Sequence, residues 1–205
     1  MRPICVLYAT REGHTRKTAE HVGAVLRTYD MDVDIINLHS KSVAIDLSRY
    51  AAALLVGSLH FGKHEPEMTA FVKQHRNELN SLPTAFLSVS LSEAVAERPG
   101  ATARERLHAV VDVERAIKLF CTETGWYPQY VKPIAGALMY SKYNVLVRWV
   151  MKHLAKKNGG DTDTSRDYDY TDWAALEEFV ETFAAELPAE AGRNETPALS
   201  QSGQR

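Results

Sequence analysis

Residues 4–15 read ICVLYATREGHT, six apolar or β-favouring residues followed by six small or polar ones. The first six have the length and composition of a strand buried on both faces, and a helical pattern of apolar residues begins after Thr15. A strand that turns directly into a helix points backbone N–H groups at one spot, where the helix dipole also favours an anion. Residues 10–15 therefore predict a loop that binds a phosphate group.

The composition of this loop narrows the choice of phosphate ligand. Hydroxyl groups and a glycine that permits a tight turn are mixed with charged or polar residues: Thr10, Arg11, Glu12, Gly13, His14 and Thr15. The loop lacks the Gly-Lys-Ser/Thr ending of a P-loop and the three spaced glycines of a dinucleotide site, which argues against ATP and NAD. The alternative is that Thr15 only caps the following helix and that the loop binds nothing.

Outward from this stretch, short apolar runs alternate with longer segments of helical period. The runs are residues 4–9, 33–38, 51–56, 84–89 and 131–138, and the helical segments are 15–28, 66–80, 101–124 and 172–186, with a short turn at 47–50. Such alternation is typical of βαβ units with right-handed crossovers. We expect an α/β fold with a doubly wound, five-stranded parallel sheet in the order 2-1-3-4-5.

A ligand in such a sheet sits at the switch point between strands 1 and 3, where the loops after strands 1, 3 and 4 converge. The second of these loops holds Gly57, Ser58, Leu59, His60, Phe61 and Gly62, and the third holds Ser88, Val89, Ser90 and Leu91. Both loops could flank a flat ring, with His60 and Phe61 stacked on it. Alternatively, Phe61 is a surface aromatic and His60 is solvated.

The composition is that of a globular protein with little overall charge. Hydrophobic residues make up 45% of the 205, and the formal net charge of −2 predicts no attraction to nucleic acid. Cys5 and Cys121 are far apart, as in a reduced cytosolic chain, and neither a signal peptide nor a membrane span is recognisable. We expect one domain at residues 1–187 and a disordered tail at 188–205, which has almost nothing to bury.

An insertion at residues 139–171 separates the fifth strand from the last helix. On a helical wheel, residues 143–157 form a basic amphipathic helix whose apolar side holds Tyr143, Leu146, Val147, Val150, Met151 and Leu154. The other side holds Arg148, Lys152 and Lys156, with Lys142 and Trp149 at the border and Lys157 at the end. Such a helix can lie on a membrane with anionic lipid, or it can pack its apolar side on the domain.

Residues 159–164, GGDTDT, carry spaced acidic residues that suggest a calcium loop. They fail the EF-hand pattern, which needs a glycine at position 6 and a glutamate at position 12. A helix stop followed by turns is the better interpretation, and no metal site is expected.

Several of these segments resemble known sequences. Residues 10–15 match the Ser/Thr-x-x-Gly-x-Thr phosphate loop of flavodoxins. Most of residues 4–185 resembles the menaquinone-dependent protoporphyrinogen IX dehydrogenases, most clearly in IAGALMY at 134–140, GGDTDT at 159–164 and YTDW at 170–173, and also in LNSLP at 79–83 and Gly57-Ser58. There are two departures: residues 91–99 form a longer, more acidic loop, and His60-Phe61 stand where that family has Arg-Tyr.

The resemblance implies a flavodoxin-like fold that binds FMN through the three loops. It further implies protoporphyrinogen IX as electron donor, a membrane quinone (menaquinone or ubiquinone) as acceptor, and an insertion that engages the membrane or the substrate. We therefore expect a cytoplasmic protein with access to the inner face of the cell membrane. No catalytic residue is assigned. His60 and His64 are candidate bases, and Arg11, Lys63 and His64 either meet the substrate's propionates or are solvated charges.

Two other functions stay open at this point. A general FMN-dependent quinone reductase or an electron-transfer flavodoxin would share the fold and the cofactor but would not need the basic helix. A phospho-receiver shares the strand order but needs an acidic pair after strand 1 and an aspartate after strand 3. This chain has Thr10-Arg11 and Gly57-Ser58 at those places.

Overall fold

Six strands form the main sheet of the computed structural model, which describes residues 2–40, 45–157 and 159–188. They are β1 (Ile4–Ala9), β2 (Val33–Asn37), β3 (Ala52–His60), β4 (Lys63–His64), β5 (Thr84–Ser90) and β6 (Tyr130–Ala135). Five of them run parallel in the order β2-β1-β3-β5-β6, and the short β4 pairs antiparallel with the end of β3. The predicted fold class and strand order are confirmed, with β5 and β6 as the fourth and fifth predicted strands.

Seven helices connect or follow these strands in the part of the chain that the structure describes. They are α1 (His14–Thr28), α2 (Pro66–Gln74), α3 (Arg76–Asn80), α4 (Leu91–Glu97), α5 (Ala103–Thr124), α6 (Val145–Lys157) and α7 (Trp173–Glu186), with short 3₁₀ turns at Leu47–Arg49 and Tyr140–Lys142.

Side chains of the central strands alternate between two hydrophobic cores. In β1, Ile4 and Val6 face the core covered by α1 and α7, whereas Cys5 and Leu7 face the core covered by α2, α3 and α5. All four are fully buried. Because both faces of the sheet are covered, the strands read as continuous apolar runs instead of alternating ones.

Local capping explains where the longest helix, α5, begins and ends. Thr102 Oγ1 accepts the N–H of Glu105 at 3.2 Å, and the Thr102 N–H donates to the Glu105 carboxylate at 2.7 Å, which makes a reciprocal capping box. At the other end Gly125 takes the left-handed conformation with φ 69°, where a residue with a Cβ is strained. The helix therefore starts two residues later than predicted and ends where predicted.

Four predicted boundaries were wrong. Residues 57–60 continue β3 because Gly57 and Ser58 still pair with β5, and Leu59 and His60 pair with β4. Residues 91–97 form α4 instead of a loop, since Ser90 Oγ accepts the N–H of Glu93 at 3.0 Å. The helix expected over 66–80 breaks at His75, and the strand expected over 131–138 ends before Gly136. Of the predicted tail, residues 189–205 lie outside the described residues.

The insertion builds a third, smaller core of its own. Strands β7 (Ala137–Leu138) and β8 (Tyr168–Asp169) pair antiparallel at its two ends, and α6 packs over them. The core consists of Leu138, Tyr140 and Ala155, with Leu91, Tyr143, Met151, Tyr168 and Tyr170 packed against it. No described helix is long and apolar enough to cross a membrane.

Helix α6 presents a different face to the domain from the one the helical wheel predicted. Arg148, placed on the solvent side by the wheel, turns inward and donates to the carbonyl oxygens of Tyr140 at 3.1 Å and Tyr143 at 3.2 Å. Two backbone acceptors that need donors thus outweigh the apolar pattern. As a result Leu146 stays 71% exposed, and Val145 and Trp149 beside it are 85% and 67% exposed.

Candidate functional site

The three predicted ligand loops lie side by side at the carboxyl edge of the sheet. Strand register places Ala9 opposite Gly57 and Gly57 opposite Ser88, so β1, β3 and β5 end next to one another. This is the switch-point geometry at which doubly wound sheets bind ligands.

The first loop leaves the start of α1 without a capping side chain. Gly13 is the N-cap residue with φ 96°, and among the described residues no side chain accepts a hydrogen bond from the first turn, which also contains no acidic residue. The alternative that Thr15 caps this helix is therefore wrong. Instead, Thr10 Oγ1 accepts the N–H of Gly13 at 3.0 Å and closes the turn. The helix start keeps N–H groups that an anion can take.

His14 ties the insertion to the domain at the carboxyl end of β6. Its Nε2 lies 2.9 Å from Thr171 Oγ1, and the Thr171 hydroxyl donates to the carbonyl oxygen of Ala135 at 2.7 Å. Because that hydroxyl has one hydrogen, His14 Nε2 must be the donor. Burial lowers the pKa of His14, so the ring is neutral. This contact explains why YTDW accompanies the loop: Thr171 joins strand β6 to the start of α1.

A buried carboxylate, Glu65, connects the first loop to the hairpin formed by β3 and β4. Its side chain is 2% exposed. The guanidinium Nε of Arg11 donates to its Oε2 at 2.9 Å, and the Ser58 hydroxyl donates to its Oε1 at 3.2 Å. His60 Nε2 lies 3.1 Å from the same Oε1 and 3.5 Å from Glu12 Oε2. Sequence reasoning missed Glu65. Its signal was a glutamate directly before Pro66, at the start of a helix.

The charges in this cluster shift one another's protonation. Contact with Glu65 raises the pKa of His60 despite partial burial. Burial alone would raise the pKa of Glu65, but the contacts from His60 and Arg11 outweigh it and lower that pKa. Glu65 therefore stays ionised, and His60 stays protonated to higher pH than an ordinary histidine. The expectation that His60 is simply solvated is wrong.

The tip of the β3–β4 hairpin displays an aromatic ring. Phe61 and Gly62 are its two turn residues, with φ 51° and 76°. Positive φ is uncommon for a residue with a side chain. Two successive residues with positive φ are typical of the tight two-residue turns of β-hairpins. The Phe61 side chain is 94% exposed, as both the ring-stacking and the surface-aromatic interpretations require.

The third loop is more buried than predicted. Ser88 and Val89 lie inside the sheet, with Val89 in the core beneath α7, so the Val89 side chain does not face a ligand at the edge. Ser90 caps α4, and its carbonyl oxygen accepts the N–H of Gly136 at 2.8 Å. A Cβ at Gly136 would lie 3.2 Å from that carbonyl group, so the glycine of IAGALMY lets the insertion approach the loop.

The GGDTDT segment acts as a support for the insertion. Tyr140 donates to the carbonyl oxygen of Asp161, and Tyr170 donates to the Asp161 carboxylate, both at 2.8 Å. Within the described ranges no three His, Cys, Asp or Glu side chains are grouped so that they could hold a metal ion. Asp161 therefore serves as an anchor for two tyrosines of the third core.

The fold and this edge define a class of protein. The solved structure of Flavodoxin 1 from Bacillus cereus matches 91% of this chain and 99% of that chain, with a TM-score of 0.51 at 13% sequence identity. This likeness shows the flavodoxin fold. The family described as Flavodoxin domain matches residues 5–165.

Two curated relatives narrow the class further. Over 185 residues the chain is 32% identical to the protoporphyrinogen IX dehydrogenase [quinone] of Leishmania major, a match that covers 89% of this chain and 75% of that protein. Over 179 residues it is 31% identical to the protein of the same name from Escherichia coli K12, covering 87% and 93%. The chain belongs to this protoporphyrinogen IX dehydrogenase [quinone] family of flavodoxin-domain proteins. Because the chain belongs to this family, nothing supports the alternative that it is a phospho-receiver.

Proposed function

We propose that the protein oxidises protoporphyrinogen IX to protoporphyrin IX, with FMN as its bound cofactor and a quinone as electron acceptor. The observation that carries this proposal is the 31% identity to the Escherichia coli protoporphyrinogen IX dehydrogenase [quinone] over 93% of that protein's length. A match that spans nearly the whole relative includes the insertion as well as the flavodoxin core.

Two observations indicate that the residues at the sheet edge are suited to bind FMN. The uncapped start of α1 offers backbone N–H groups to a phosphate, and the Thr10 hydroxyl, whose oxygen already accepts from Gly13, can donate its hydrogen there. Phe61, exposed at the hairpin tip, supplies an apolar surface for a ring. FMN, when bound, supplies the electron-transfer chemistry.

The chain's own residues then bind and orient. Arg11 and His60, both in contact with Glu65, are the cationic side chains proposed to meet a phosphate or a propionate at this edge. Glu65 fixes these two cations relative to one another, because one comes from the first loop and the other from the hairpin. No residue of this cluster needs to act as a nucleophile.

An anaerobic visible spectrum of the FMN-loaded protein, before and after addition of protoporphyrinogen IX, tests the function. We expect the flavin bands to bleach as porphyrin absorbance appears, and to return when a quinone is added. Free FMN at the same concentration is the control, because it measures any oxidation that needs no protein. Flavin bands that persist beside unreacted porphyrinogen would instead favour a general quinone reductase or an electron-transfer flavodoxin.

We also propose that the outward face of α6 rests on an anionic membrane surface. This helix contains no acidic residue. Val145, Leu146 and Trp149 are exposed, and so are Lys152 and Lys156 of the same helix. Exposed apolar side chains flanked by lysines suit the boundary between lipid headgroups and acyl chains. The protein would then reach a quinone dissolved in lipid from the cytoplasmic side.

Sedimentation with phosphatidylglycerol vesicles tests this membrane contact. The double variant Leu146→Glu, Trp149→Glu is expected to bind at least about a hundredfold more weakly, because two side chains that each contribute about 1.5–3 kcal/mol when buried in the lipid are lost. The matched control is Leu107→Glu, Val111→Glu on α5, where the native side chains are 63% and 50% exposed. Equal loss of binding in both double variants would contradict a specific role of α6.

A further inference from the structure

The solvent side of α5 carries an apolar patch that no described residue covers. The side chains that this helix buries include those of Ala109, Val113, Ala116 and Phe120. On the opposite side, Leu107 and Val111 are 63% and 50% exposed, and the neighbouring Val110 is 39% exposed. Leu107 and Val111 are four residues apart, so their side chains are neighbours on the helix surface. Exposed apolar side chains that adjoin one another, unlike single scattered ones, indicate a contact surface.

Two charged side chains extend this patch into a stripe. Arg104 lies one turn before Leu107, and Glu114 lies one turn after Val111. The intervals of three, four and three residues between these four positions are those of the a and d positions of a coiled coil, which share one face of a helix. Both charged side chains are exposed, and neither has an ion-pair partner in the part of the chain that the structure describes. The stripe therefore has a basic end, an apolar centre and an acidic end.

This order of side chains is complementary to itself when it is reversed. If a second copy lies antiparallel, with a two-fold axis level with Ala109, Leu107 of each chain faces Val111 of the other. Arg104 of each chain then faces Glu114 of the other, so two apolar layers lie between two ion pairs. A parallel pair in register would instead set Arg104 against Arg104 and Glu114 against Glu114. Charge thus selects the antiparallel arrangement, which is the isologous contact of a two-fold dimer.

The size of the stripe sets the expected strength of the contact. Residues 104–114 span about 16 Å of helix, which is short for a protein interface. Val110 lies beside the two-fold axis and would add one apolar contact with its own copy. An interface at the low end of the size range forms a weak dimer, and we expect a dissociation constant on the order of 10–100 µM.

We propose that residues 104–114 of α5 form the surface through which two copies of this chain dimerise, with the two helices antiparallel. The inference does not rest on the proposed function. None of the residues of the candidate functional site belongs to the stripe, so substitutions in the stripe leave the cofactor loops unchanged.

Sedimentation velocity of the full chain, loaded with FMN, tests the proposal over roughly 1–300 µM protein. The native chain is expected to pass from monomer to dimer as the concentration rises. Arg104→Glu and Glu114→Arg each place like charges opposite one another at both ends of the interface. Each is expected to weaken the dimer roughly tenfold or more. Both positions are exposed on the helix surface, so the substitutions put folding little at risk.

An equimolar mixture of these two single variants is the sharper test. The Arg104→Glu chain carries acidic side chains at both ends of its stripe, and the Glu114→Arg chain carries basic ones at both ends. An antiparallel pair of one chain with the other therefore restores both ion pairs. The mixture should dimerise about as well as the native chain, although neither variant does so alone. Lys118→Glu is the matched control, because it makes the same change of charge on α5 one turn beyond the paired segment, and it should dimerise as the native chain does.

Three outcomes would overturn the proposal. They are a native chain that stays monomeric up to about 300 µM, a dimer that neither single variant weakens, and single variants that stay monomeric when mixed. Each of these outcomes leaves the proposed function intact, because oxidation of protoporphyrinogen IX is measured at about 1 µM protein, where the chain is monomeric. The vesicle test uses the same low concentration, so the control variant Leu107→Glu, Val111→Glu is compared there with a native monomer.

Discussion

Replacing His64 with Phe is expected to remove about 3 kcal/mol of acid destabilisation between pH 6.5 and pH 4. Burial lowers the pKa of His64 from 6.5 to about 4, and the carboxylate of Glu65 only partly offsets that effect. The unfolded chain therefore takes up a proton near pH 6.5 that the folded chain takes up only near pH 4. As pH falls through this window, protonation lowers the free energy of the unfolded state but not that of the folded state, so the folded protein loses stability.

The sign of the effect is independent of the packing that the substitution changes. Phe keeps a ring between Phe86 and Phe120, but it leaves the buried Ser88 hydroxyl without its imidazole partner, which costs about 1–3 kcal/mol at every pH. The variant is thus expected to be less stable at pH 7 and to lose less of its stability on acidification. The difference between the native chain and the variant in how stability depends on pH therefore measures the contribution of His64.

Urea unfolding at intervals from pH 7 to pH 4 measures this difference. His108→Phe, at an exposed position on α5, controls for the loss of one histidine. Parallel plots of stability against pH for the native chain and His64→Phe would show that His64 takes up its proton as readily in the folded state as in the unfolded state. Its environment would then not be the one described.

Replacing Glu65 with Gln is expected to lower the free energy of unfolding by about 2 kcal/mol near pH 6. The amide keeps the shape of the side chain but cannot balance the charges of Arg11 and His60. Breaking a fully buried ion pair costs more, about 3–5 kcal/mol, because it strands a charge. Here Arg11 is 58% exposed and stays hydrated, which reduces the cost.

The pH dependence of this effect has two limits. The pKa of Glu65 is lowered in the folded chain, so its contribution is present above the unfolded value of 4.5 and is lost as pH falls through the folded pKa. The pKa of His60 is raised, so its contribution is present below 6.5 and is lost as pH rises through the folded pKa. The difference between the native chain and the variant should therefore be greatest between these limits.

Chemical denaturation across pH 4 to 8 checks this profile, and FMN titration measures whether the first loop loses its alignment with the hairpin. Glu67→Gln is the matched control, because Glu67 lies two residues away and contacts only His39, at 3.0 Å, among the ion pairs described. The control should change stability by less than about 0.5 kcal/mol. A Glu65→Gln variant that is equally mild would mean that the cluster contributes no net stability.

The sequence was sufficient for features that depend on local pattern. Continuous apolar runs marked the parallel strands because both faces of the sheet are covered, and the strand-loop-helix at residues 4–15 marked the uncapped helix start that we propose binds a phosphate. Alternation of strands and helices was enough for a doubly wound parallel sheet, and the expected strand order is the one observed. The family could also be recognised from IAGALMY, GGDTDT and YTDW.

Only the tertiary structure decided which polar groups meet. Glu65 lies 54 residues from Arg11, and its role depends on the hairpin that brings it under the first loop. Arg148 turned inward because two carbonyl groups of a neighbouring turn needed donors, which no helical wheel contains. His64 became buried and neutral because Phe86 of β5 and Phe120 of α5 pack against its ring. Hydrogen bonds and burial between distant segments set these roles, whereas periodicity along the chain records only which residues avoid water.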